Sequence, residues 1–363
     1  MKTNYSAAWA RPVARLMAVA HLVACLSCVG FVAAPVPGYA GGFLGIETSI
    51  FADETAILHP FFYTGTSNAT TVRVCIDPST QNANKMIGPV IRAISTINGL
   101  APTLGNTSAD GTVPSTAVDF ESIALHELLH CAIGLTHSNV GIALGVTGLA
   151  QFSTNSTVGP NGSYDVNLGP DGVPGSLDDP RGDDENRFWF SKSSNNPFVI
   201  TSPVSSATYS QDVADLPTGH SFAANGSRVL SIVLGLLETE AVMSTPQFQG
   251  EMRRELSPDE VAIIRYARAG LDENAGTSDD YSTAVIFAGL SSGSGCQVVL
   301  RFAEIPSPGQ CQASSIAINS NGHFRLAGTA TVSFDSSAVW HFSDPVFSDG
   351  FESGDLSAWV AFP

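Results

Sequence analysis

His126-Glu127-Leu128-Leu129-His130-Cys131-Ala132-Ile133-Gly134-Leu135-Thr136-His137 is the stretch on which the reading of the chain turns. Asp119 stands ahead of it as an N-cap residue type and Gly134 supplies a stop, so the pattern predicts a helix from Asp119 through Ile133. Residues four apart stack on one helix face. His126 and His130 therefore lie one above the other, and two imidazoles so placed can bind one Zn2+ at about 2.0–2.1 Å each. Glu127 sits beside the pair without being a ligand, where it can take a proton from the attacking water. Two histidines leave the ion short of the usual three protein ligands. His137, three residues past Gly134, is the candidate for the third.

Outward from this helix, residues 71–76 alternate and are β-branched, which predicts a strand. Met86, Ile87, Val90, Ile91, Ile94 and Ile97 recur at helical spacing and predict a helix over 84–98. A polar loop then runs to about 118, giving the order strand, helix, loop, helix. Another helix is expected over 257–269, with Ser257 as cap, Pro258 at its first position and Glu260 completing a capping box. From 281 the pattern turns to short strands, at 283–288, 297–302, 314–318, 323–334 and 338–342. They read as a small β-rich subdomain over 275–343.

Between the helices, residues 138–225 form a long acidic insertion rich in Gly, Pro, Asn and Asp. Within it, Asp171, Asp178, Asp179, Asp183 and Asp184 alternate with glycines, so the backbone can curl and present oxygens. Ca2+ takes six to eight oxygens at about 2.3–2.6 Å, which this density can supply as a structural site. The spacing is not that of an EF-hand. A second acidic cluster at Asp272, Glu273, Asp279 and Asp280 reads as a linker. His220 could line a cleft, and His59, His323 and His341 read as structural.

Charged residues make up 13% of the chain, against roughly 25% in an average soluble domain. The net charge is −17, which repels phosphate backbones and argues against nucleic-acid binding. Lys2, Arg11 and Arg15 followed by the apolar run Leu16 to Ala34 and a small-residue stretch ending at Ala40 read as a signal peptide over 1–40. The alternatives are an uncleaved anchor and lipoprotein processing at Cys25. Cleavage removes three of the sixteen Lys and Arg and none of the 33 acidic residues, leaving 13 against 33, a net charge of −20. No stable membrane span then remains, and the product is secreted or held at the cell surface. Four cysteines survive, an even number that suggests disulfides in an exported chain. Cys296 and Cys311 flank a Pro/Gly turn region and are the expected pair, which leaves Cys75 with Cys131 by elimination.

The helix motif resembles the zinc-binding signature of the metzincin clan of zinc endopeptidases, H-E-x-x-H-x-x-G-x-x-H followed by a Met-turn. Here one extra residue stands between His130 and Gly134, while the Gly-x-x-His unit ending at His137 is kept. A wider, π-like last turn across Cys131 to Ile133 would absorb it. Glu240-Ala-Val-Met243-Ser-Thr-Pro246 and the helix after Arg253 look like the Met-turn and closing helix of matrixin-like members. The resemblance implies an α+β or α/β catalytic domain over 41–270, with a short mixed sheet, an active-site helix and Met243 beneath the zinc. It implies a monomeric endopeptidase acting on protein or peptide substrates that add to a sheet edge. The acidic, aromatic tail over 344–363 resembles short C-terminal tails of exported proteobacterial proteins, which points to a Gram-negative source. Two other readings stay open. One is a calcium-dependent surface or adhesion protein on an inactive zincin scaffold, and the other a zincin whose third ligand is a distant carboxylate.

Overall fold

Along β2 (Ala69–Ile76), Thr70, Val72, Val74 and Ile76 are buried while Ala69, Thr71 and Arg73 face out, the alternation a half-buried strand requires. In the structure, a computed structural model, the described residues are 57–66, 69–135, 141–144, 150–153, 164–165, 170, 190–193, 198–210, 215, 228, 231, 235–244, 249–320 and 322–343. The fold is mixed α/β around a six-stranded, mostly parallel sheet. With β1 (Ile57–His59), the other members are β3 (Ser282–Leu290), β4 (Val298–Ala303), β5 (Gly309–Ser320) and β6 (His323–Asp335). The order is β3–β2–β4–β6–β5. β3, β2, β4 and β6 pair in parallel, and β5 runs antiparallel to β6. β1 pairs in parallel with the first three residues of β6, on the edge opposite β5.

The strands expected to form a sheet of their own over 275–343 instead complete the sheet that β2 begins. Every buried backbone donor and acceptor needs a partner. The described N-terminal half offers β2 no strand of matching length, so β3 and β4, some 200 residues later, take its two edges. Among the described residues, no helix is long and apolar enough to cross a membrane.

Among the described residues, three α-helices pack around this sheet. α1 (Ala83–Gly99) buries Met86, Val90, Ala93, Ile94 and Ile97, and packs against α2 (Phe120–Leu128) and β3. Ile91, expected on that apolar face, is 46% exposed. All nine residues of α2 are buried, so it is a central helix rather than a surface one. α3 (Pro258–Ala267) begins with the expected capping box: Ser257 and Glu260 cap each other, and Pro258 stands at the first position.

Candidate metal centre

The start of α2 is fixed twice over. The Asp119 carboxylate accepts from Ser122 N at 3.0 Å and Ser122 Oγ at 2.7 Å, and it takes a bidentate pair from Arg254 at 2.6 and 2.8 Å. This cap is the one the sequence predicts, and the ion pair adds charge-assisted bonds to it.

At the other end the α-helix gives way to a π-helical turn over Leu129–Ile133. Gly134 N donates to Leu129 O at 2.9 Å and to His130 O at 3.1 Å, and Leu135 N donates to Leu129 O at 3.0 Å. The widened turn takes up the extra residue between His130 and Gly134, beginning two residues earlier than the sequence suggests. Gly134 closes it at φ 97°, a conformation that costs a glycine nothing. The turn brings the Leu135 carbonyl back onto the His130 ring.

His126 Nδ1 donates to Val242 O at 2.7 Å, and His130 Nδ1 donates to Leu135 O at 2.6 Å. A carbonyl only accepts, so each partner assigns the proton to Nδ1 and leaves a lone pair on Nε2. The two Nε2 atoms lie 3.1 Å apart. Two lone pairs converging at that distance favour a shared cation. A tetrahedral ion with nitrogens at about 2.0–2.1 Å sets them roughly 3.3–3.4 Å apart, close to what is seen. Backbone bonds at Nδ1 are of the kind that orient histidines where a metal is ligated. The residues present therefore fit zinc, with two donors supplied by the described residues. No group of three or more His, Cys, Asp or Glu able to hold an ion occurs among those residues.

Val242 belongs to the turn that carries Met243, which is 1% exposed. Met243 N donates to Glu260 Oε1 at 3.1 Å, while Glu260 Oε2 accepts from Ser257 N at 2.8 Å. One carboxylate thus caps α3 and pins the turn whose carbonyl orients His126. Sequence reasoning identified Met243 and the capping box but missed this connection, because backbone carbonyls leave no trace in residue type.

Glu127 is buried at 4% exposure, and among the described residues its Oε2 has no hydrogen-bond partner. Burial pushes its carboxyl up to about 8. The backbone of Gly309, at the start of β5, passes directly over it. A Cβ there would collide with Glu127 Oε1 and lie 2.7 Å from both Glu127 Cγ and Ile123 Cγ2. Gly309 was not foreseen as a site residue, because its role depends on a contact spanning 182 positions.

The disulfides differ from the expected pairs: Cys75 joins Cys296 and Cys131 joins Cys311. The sheet order explains both corrections. β6 lies between β4, which Cys296 precedes, and β5, which holds Cys311, so a Cys296–Cys311 bridge would have to cross a strand. β2 and β4 are direct neighbours with Cys75 opposite Val299, which brings Cys296 within reach. The turn carrying Cys131 packs on β5 and β6, away from β2, and Cys131 therefore meets Cys311 rather than Cys75.

His59 and His323, read as structural, form a buried pair with His59 Nε2 3.0 Å from His323 Nδ1. Burial and the neighbouring ring hold His59 down to about 3, so it stays neutral. In the acidic cluster read as a linker, Asp279 accepts from the backbone N–H groups of Leu271 and Asp272. His137, His220, the acidic residues Asp171, Asp178, Asp179, Asp183 and Asp184, the signal segment 1–40 and the tail 344–363 lie outside the described residues. Searches against protein-family models, curated proteins and solved structures returned no match for this chain.

Proposed function

We propose that the protein is an exported zinc endopeptidase, with His126, His130 and His137 holding the ion and Glu127 moving the proton. The observation that carries this reading is the convergence of His126 Nε2 and His130 Nε2, each ring locked through Nδ1 to a backbone carbonyl, with a buried carboxyl one residue along. When bound, zinc supplies a Lewis acid that brings the pKa of a water to about 7 and polarises a carbonyl. Glu127 takes a proton from the water as its oxygen attacks the scissile carbonyl carbon. It returns that proton to the amide nitrogen as the C–N bond breaks, leaving a carboxylic acid and an amine, which become carboxylate and ammonium when the second water proton passes to the amine. Burial by itself raises the proton affinity of Glu127, and a cation bound beside it would act in the opposite direction, keeping the carboxylate able to accept.

The substrate would lie along β5. That strand pairs with β6 through one edge, and its start stands over Glu127. An extended peptide can add to the other edge by backbone hydrogen bonds. Two disulfides and the signal segment support export into an oxidising compartment. The acidic insertion would hold structural calcium.

The test is zinc content together with chelator-sensitive hydrolysis of casein. Glu127→Ala is expected to abolish hydrolysis while one zinc per chain stays bound. Loss of the metal in that variant, or full retained activity, refutes the assignment of Glu127. A calcium-stabilised protein with zinc bound and no hydrolysis of any peptide would favour the adhesion reading.

A further inference from the structure

We infer that the Cys131–Cys311 bridge and Gly309 are positioning residues for Glu127, an inference that rests on the proton-transfer role proposed above. Among the described residues Glu127 Oε2 has no hydrogen-bond partner, so none of them fixes that oxygen by a polar contact. Packing confines the carboxyl on two sides. On one side is α2 itself, with Ile123 one turn back. On the other is the bare backbone of Gly309, close enough that even a methyl group would strike Glu127 Oε1, Glu127 Cγ and Ile123 Cγ2.

That backbone is tied down from several directions. Asp335 N donates to Pro308 O at 3.0 Å, Ser307 Oγ donates to Gly309 O at 2.7 Å, and Gly309 stands opposite Phe334 in the β5–β6 ladder. All of these hold Gly309 to its own sheet. The covalent tie to the helix side is Cys311–Cys131, across 180 residues of sequence. Cys311 is two residues from Gly309, and Cys131 follows His130 within the π-helical turn. The bridge therefore sets the spacing between the strand that roofs the glutamate and the helix that carries it. Without it, β5 can lift from α2, and the carboxyl gains room to turn away from the water it must deprotonate. A reacting group displaced by about 1 Å can cost on the order of 10²-fold in rate.

The experiment compares wild type, Cys131→Ala/Cys311→Ala with Cys75–Cys296 intact, and Gly309→Ala with both bridges intact, below their melting temperatures. Each is read by zinc content, by kcat and KM on a peptide, and by the Glu127 Cδ resonance of 13C-glutamate-labelled protein, assigned by its loss in Glu127→Gln. The expected result in both variants is one zinc per chain, kcat lower by at least about tenfold with a smaller change in KM, and a displaced Glu127 resonance. A folded double variant with unchanged kcat and resonance would show the bridge to be structural only and overturn the inference. If the double variant does not fold, Gly309→Ala decides alone, and an unmoved resonance there overturns it. Should wild type bind zinc yet cleave no peptide while the resonance still moves, the endopeptidase reading fails and the positioning role stands.

Discussion

Replacing Gly134 by Ala adds one methyl group at the close of the π-helical turn, and its cost can be built from two parts. At φ 97° an L side chain meets the following carbonyl, which costs roughly 1–2 kcal/mol. The new Cβ would also stand 2.9 Å from Leu58 Cδ2 and 3.0 Å from its Cγ. Leu58 is 1% exposed on β1, which pairs with β6, so it cannot yield into solvent. Overpacking of that kind costs about 1–3 kcal/mol. The sum is about 2–5 kcal/mol, a large share of the roughly 5–15 kcal/mol of a typical domain. Gly111 provides the control: its φ is 89° and nothing lies within 4 Å of a Cβ built there, so Gly111→Ala carries only the backbone cost. Relief of the clash would move the Leu135 carbonyl off His130 Nδ1, now 2.6 Å away, and loss of such an orienting bond lowers metal affinity by about 10- to 100-fold. Urea unfolding of both variants and zinc titration against a competing chelator measure the two effects. If Gly134→Ala is no more destabilising than Gly111→Ala, and its zinc affinity matches wild type, the turn does not position His130 in the way argued.

His137→Ala should lose zinc affinity and activity together. If His220→Ala lost both instead, the third ligand would be His220. Calcium should raise the melting temperature by an amount equivalent to about 2.7 kcal/mol at a hundredfold excess over its Kd. Changing Asp178, Asp179, Asp183 and Asp184 to Asn should abolish that increase, and an undiminished shift would place calcium elsewhere. The Asp259 carboxyl, enclosed at the start of α3 beside Glu260, is pushed up to about 8, chiefly by burial. Below its unfolded value of about 3.9 both states hold the proton. From there to about 8 only the native state keeps it, so this group makes stability fall as pH rises, by up to about 1.4 kcal/mol per pH unit. Asp259→Asn is neutral in both states and should flatten that part of the profile in urea unfolding at pH 5 to 8. Parallel profiles for the two proteins would show that Asp259 ionises normally.

The helices and their ends were legible in the sequence because the signals are local. Asp119 needs only Ser122 three residues on to act as a cap, and Ser257 needs only Glu260. The insertion before Gly134 foretold the widened turn, since a helix bond must skip a residue within that one turn. His126 and His130 follow from the helical period alone. What the tertiary structure decided was non-local. A strand's hydrogen-bonding edge is chemically generic, so nothing in Thr71 to Ile76 names Ser282–Leu290 and Val298–Ala303 as its partners. Each cysteine can meet any other whose strand or turn arrives beside it, so the bridges follow the sheet order and not the spacing in the chain. The same holds at the site. The sequence supplied the histidines and the glutamate, while the Val242 carbonyl that orients one ring and the Gly309 backbone that roofs the carboxyl came from segments more than 100 residues away. Backbone atoms are common to every residue, and only the fold determines which of them faces a given side chain.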